Sequence, residues 1–115
     1  MHLAMGRALK PLREDGVLII GSGQTYHNMR GFGRAGPDLN AEAFDVWLRQ
    51  TVTATATRDQ SLIDWESAPG AREAQPREDH FLPLMVAAGA ASGETAIVDF
   101  HGYALGKPIS GFRFG

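Results

Sequence analysis

Gly16-Val17-Leu18-Ile19-Ile20-Gly21-Ser22-Gly23 is the stretch on which the reading of the fold turns. Four branched apolar residues between glycines are the length of a buried strand and far too short to cross a membrane. Upstream, Met5, Leu9 and Leu12 fall at i, i+4 and i+7, with Arg7, Lys10, Arg13 and Glu14 between them. That spacing predicts an amphipathic helix whose last turn must absorb Pro11, and Asp15-Gly16 supplies the stop. A helix feeding a buried strand predicts an α/β layer.

Downstream of the strand, residues 21–37 are rich in glycine and follow neither a helical nor a strand period. Long loops inside small domains tend to carry function, and this one holds His27, Asn28 and Arg30. Asp38 or Asn40 can cap the next helix, with Glu42 and Asp45 suited to its positive end. Phe44, Trp47, Leu48 and Val52 then form a stripe expected to face the core, and the helix is expected to end near Arg58. A shorter helical piece around Leu62, Ile63 and Trp65 stops at Pro69-Gly70, and Ala71 to Asp79 reads as polar loop. His80 to Ala90 predicts a buried helix with Pro83 in its first turn and Gly89 permitting close packing. Ala96 to Phe100 reads as a strand, Gly102 to Gly106 as a turn, and Ile109 to Phe114 as a last strand with Phe112 and Phe114 on one face.

A chain of 115 residues, 43% hydrophobic and 21% charged, has the composition of one folded domain, 1–115, with a thin core. The net charge of −2 offers no basic footprint for nucleic acid or an anionic membrane. Cysteine is absent, so disulfides and thiolate chemistry are excluded and any metal must sit on His, Asp or Glu. The N-terminus shows no apolar leader, which makes the cytoplasm the expected location.

Few residues can carry chemistry. Gly21-Ser22-Gly23 invites comparison with a phosphate-binding loop, but no Gly-Lys-Ser/Thr follows and Tyr26 stands where a dinucleotide fingerprint needs a small residue. An anion-binding module using these glycines and the loop arginines is the weakest reading. His27 leaves the end of an apolar strand, where α/β proteins place reacting groups, and could act as general base or metal ligand. It could equally do no more than hydrogen-bond its own loop. His80 precedes a helix N-terminus that disfavours an imidazolium, which leaves the ring free for a metal or for a backbone bond. Arg30, Arg34, Arg72 and Arg77 could clamp a substrate carboxylate or simply be solvated. His2 and His101 read as surface residues, and Trp47 and Trp65 as core.

The run Gly16 to Gly23 continuing to His27-Asn28 resembles the strand and catalytic histidine loop of class III extradiol ring-opening dioxygenases of the DOPA dioxygenase type, the LigB-like family. Pro76-Arg77-Glu78-Asp79-His80-Phe81-Leu82-Pro83-Leu84, with Ala87 to Ala90, is similar to that family's second signature. Phe44-Asp45-Val46-Trp47-Leu48 is similar to the helix between them. The resemblance implies an α/β fold, a partial mixed sheet with flanking helices, corresponding to the C-terminal half of such an enzyme. It implies opening of a catechol ring with dioxygen at a non-haem Fe(II) or Zn(II) centre. His80 falls at a late metal ligand and His27 at the acid/base histidine. Gln75 departs from the histidine that members often carry before the proline. Family members are roughly twice as long, and their N-terminal half supplies two further histidine ligands. The implied partners are therefore a catechol, dioxygen, and either further copies of the chain or a polypeptide supplying that half. The alternative is a non-catalytic remnant that acts only as an oligomerising module.

Overall fold

The computed structural model describes residues 1–115. Helix α1, His2–Glu14, forms where the spacing predicts it, and Gly16 at φ +82° completes the turn that ends it. Its buried face is not the predicted stripe. Leu3 and Gly6 are buried, whereas Met5, Leu9 and Leu12 are exposed. The reason is close backbone packing against helix α5, Leu82–Ala90. A Cβ on Gly6 would lie 2.1 Å from the Val86 carbonyl oxygen, and one on Gly89 would lie 2.2 Å from that of Leu3. Two glycines at a helix crossing select the face more strongly than an apolar stripe does. Lys10 and Arg13 reach across to the carbonyls of Ser92 and Ala90 at 3.0 and 3.2 Å, placing cations at the negative end of α5.

Val17 to Ile20, expected as a buried strand, pairs with nothing, and like the loop from Gly21 to Gly23 it has no regular secondary structure. The Val17 N–H closes α1 on the Leu12 carbonyl and the Gln24 N–H reaches the His80 carbonyl; between them, residues 18–23 make no backbone–backbone hydrogen bond. Val17, Leu18 and Ile20 are 45%, 81% and 75% exposed. A strand is defined by its neighbour, and this chain puts none beside it.

Helix α2, Leu39–Thr53, is capped by Asp38, which accepts from the Ala41 N–H at 3.0 Å. Phe44, Leu48 and Val52 face the core, and Trp47 stacks on Phe44 with ring centroids 5.6 Å apart. The helix stops short of Arg58, where the Thr53 hydroxyl bonds back to the Arg49 carbonyl at 2.7 Å. Arg58 opens α3, Arg58–Ile63, and its fully buried guanidinium donates to the carbonyls of Val52 and Glu94 while lying over the Phe114 ring. A 3₁₀ turn at Trp65–Ser67 follows. The polar loop expected from Ala71 begins instead as a one-turn helix, α4, Ala71–Ala74. Its alanines are buried among the core side chains, so small size rather than polarity decided that segment. Pro83 sits in the first turn of α5, as predicted.

Strands β1, Ala96–Ala104, and β2, Lys107–Phe114, form an antiparallel hairpin with a bulge between Val98 and Phe100. The turn is only Leu105-Gly106, both at positive φ, tighter than the segment expected from Gly102. Phe112 and Phe114 pack on the core together with Ile109. The architecture is mixed α/β, five helices with one two-stranded antiparallel sheet. The core centres on Phe44, Leu48, Trp65, Phe81 and Met85, with the Trp65 and Phe81 rings 5.0 Å apart.

Candidate active site

His27 and His80 lie far apart in the chain, and the fold stacks their rings with centroids 3.5 Å apart and planes inclined by 17°. Backbone and amide bonds between two loops produce this. The Gln24 N–H donates to the His80 carbonyl at 2.8 Å, and the His27 N–H to the Ala74 carbonyl at 2.9 Å. Gln75 is fully buried and donates from Nε2 to the Gln24 carbonyl at 2.7 Å. Asn28 donates from Nδ2 to the Glu73 carbonyl at 2.8 Å, and its Oδ1 accepts from the Arg30 N–H. Beside His27, the Tyr26 ring is buried edge-on to Phe32 at 5.1 Å, and burial raises its phenol pKa. The loop is thus anchored on one side of Tyr26 and presents a half-buried imidazole on the other.

Glycine explains how closely the loops approach. A Cβ on Gly23 would lie 2.2 Å from the His80 carbonyl oxygen, and one on Gly21 would lie 2.5 Å from that of Pro83. The Gly21-Ser22-Gly23 motif therefore serves packing of the chain against the start of α5. A cleft of about 390 Å³ opens beside it, lined by residues 17–21, by Phe81, Leu84 and Ala87 beneath, and by Ser110 to Phe114 opposite. His80 stands on its rim, with a side chain 45% exposed and Nε2 at 3.8 Å from Asp79 Oδ2.

As a metal centre this set is incomplete. No group of three His, Asp or Glu side chains converges anywhere in the structure. An imidazole ligates through a lone pair in its ring plane, at about 2.0–2.1 Å. An ion shared equally by two nearly parallel stacked rings would sit well out of both planes. The arrangement therefore does not make a chelating pair.

Other candidates have structural duties. Arg72 lies over the Trp65 ring at 4.8 Å and bridges Glu66 and Glu78, both at 3.0 Å, and its hydrogen bond keeps the Glu78 carboxyl below its ordinary pKa. Arg30, Arg34 and Arg77 are exposed. His2 is the first residue of α1. Asp45, which the sequence places at the positive end of α2, is buried instead. It accepts from the Ser110 hydroxyl at 2.6 Å and from Arg49 Nε at 2.9 Å, with His101 Nδ1 at 3.4 Å, so His101 is tied to the helix beneath β1. The Ser110 hydroxyl also lies 3.3 Å from His101 Nδ1, and the three-residue cluster locks the hairpin to α2. Nothing in the spacing of Asp45, His101 and Ser110 announces this, because only the packing of β2 on α2 joins them.

Both histidine loops fall inside the stretch that matches known proteins. Residues 1–112 match the family described as the catalytic LigB subunit of aromatic ring-opening dioxygenase, and the chain belongs to that family. Among its relatives is a protein named 4,5-DOPA dioxygenase extradiol from Beta vulgaris, 39% identical over 92 residues, which cover 78% of this chain and 34% of that one. The protein of the same name from Escherichia coli K12 is 29% identical over 118 residues, covering 99% of this chain and 41% of the relative. The crystal structure of an uncharacterized Escherichia coli K12 protein superposes with a TM-score of 0.84 at 28% identity, covering 96% of this chain and 48% of that one. The match falls in the C-terminal part of the relatives, and the chain spans about two fifths or less of the length of these two curated proteins.

Proposed function

We propose that this chain is the proton-handling part of an extradiol dioxygenase that opens a catechol-type ring with dioxygen, with His27 as acid/base and His80 as a single metal ligand. The observation that carries it is the stacked His27–His80 pair, held by two loops that both lie within the family match. The His27 imidazole is half-buried beside an exposed ring, so it can accept a catechol hydroxyl proton and return it once the carbon–carbon bond beside the hydroxyls has broken. In this reading Fe(II) or Zn(II) supplies open coordination positions for catechol and dioxygen, with its remaining ligands drawn from outside this stretch. Stacking against His80 fixes the orientation of the His27 ring, and Gln75 and Asn28 hold the loop that presents it.

The test compares the 115-residue protein with a fusion in which the N-terminal part of the Escherichia coli relative precedes it, using DOPA as substrate and following dioxygen uptake. The isolated chain should bind Fe(II) weakly and be inactive, and the fusion should consume dioxygen. In the fusion, His27→Ala should cost about 10²–10⁴ in turnover with no loss of fold. Stoichiometric Fe(II) binding and ring opening by the isolated chain would refute the shared site. A folded fusion that stays inactive would favour the non-catalytic oligomerising module, a reading that the exposed Val17–Ile20 run supports.

A further inference from the structure

Residues 18–23 leave their backbone unpaired, and β2 is unpaired along the edge away from β1. Residues of both line the same cleft. The Ser110 N–H points away from β1 and is met by the Thr25 hydroxyl at 2.9 Å, which closes one end of the cleft between them. Toward Val17 the cleft stays open, over a floor of Phe81, Leu84 and Ala87. Free strand edges in stable proteins are guarded by charge, proline or a covering element. Val17-Leu18-Ile19-Ile20-Gly21-Ser22-Gly23 contains no charge and no proline, and three of its apolar side chains stand in solvent. An uncharged, proline-free apolar segment of this kind is typical of strands inside a sheet.

We infer that this cleft is a docking slot for a β-strand, supplied by the polypeptide that precedes the matched part in the family's longer members. The inference rests on the functional reading above for the identity of the partner. Length favours this occupant: the match covers 41% of the Escherichia coli relative and 48% of the solved chain, so more than half of each lies outside it. A strand entering the slot would bond to residues 18–23, cover Leu18 and Ile20, and bring its chain alongside His80 on the cleft rim.

Amide hydrogen–deuterium exchange reads the slot directly, independently of ring opening. In the isolated 115-residue protein the amides of residues 18–23 should exchange at the rate of an unstructured peptide. Co-expression with the N-terminal part of the Escherichia coli relative should give a complex in which they slow by at least about 100-fold. The relative's own C-terminal part serves as the positive control, and if that pair does not assemble, both are rebuilt as covalent fusions. The double variant Leu18→Lys/Ile20→Lys should retain the isolated fold, because both side chains are exposed, and should lose assembly or slot protection. Protection of 18–23 by self-association of the isolated chain would overturn the inference. So would failure to pair where the control pairs, or assembly with 18–23 still exchanging freely. Protection without ring opening would leave the slot standing and remove the enzymatic reading; ring opening without protection would do the reverse.

Discussion

The Phe44 stripe of α2 and the Val17–Ile20 segment are equally apolar in sequence and meet opposite fates. Phe44, Leu48 and Val52 are no more than 1% exposed, while Leu18 is 81% and Ile20 75% exposed. A helix satisfies its own backbone, so it needs only one apolar neighbour to be stable, and α3, α4 and the hairpin supply it. A strand needs a hydrogen-bonding neighbour as well as an apolar one. Burial is thus a property of the partner as much as of the residue.

That contrast can be broken by paired truncations. Phe44→Ala should cost about 3–5 kcal/mol in denaturant unfolding, while Leu18→Ala should stay within about 0.5 kcal/mol in the isolated chain. Equal losses would mean that residues 17–20 are covered in solution. Gly89→Ala tests whether glycine chose the buried face of α1, since the added methyl meets the Leu3 backbone at 2.2 Å. A loss of about 1–3 kcal/mol is expected, against no measurable loss for the exposed Leu9→Ala.

Gln75→Ala removes the buried bond to the Gln24 carbonyl and should cost about 1–3 kcal/mol. It should also shift the His27 and His80 ring resonances in NMR spectra. Unchanged resonances would show that the stack does not depend on that strut.

The smallest effect concerns Asp38. Its carboxyl is held below the ordinary range first by the hydrogen bond from the Lys107 ammonium at 2.7 Å, then by the Ala41 N–H. A depressed folded pKa stabilises above the unfolded value of about 3.9, and that stabilisation is lost as pH falls through the folded value. Asp38→Asn keeps a capping side chain but lacks this ionisation, so its stability should fall less steeply in the acid arm below about pH 4. An unchanged acid arm would show that the Lys107 pair contributes nothing.

Much of the candidate site was legible in the chain. His27 and His80 stand out as histidines at the ends of apolar elements, and the glycines and prolines around them mark the loops. The Asp45–Ser110–His101 cluster was not legible, since it joins a helix to a hairpin whose pairing leaves no local pattern. Gln75 could be singled out only as a departure from the family's motif, and its burial beneath Gln24 appears only once the two loops are laid together.

Sequence by itself determined the helices α1, α2 and α5, the hairpin strands and the stop at Gly16, because caps, breakers and periodicity act within a few residues. Tertiary structure decided which face of α1 is buried, that Ala71–Ala74 forms a turn of helix, that two imidazoles stack, and that residues 18–23 stay unpaired. Each of those outcomes depends on what the rest of the chain places opposite, and contacts between distant segments are not encoded in local order.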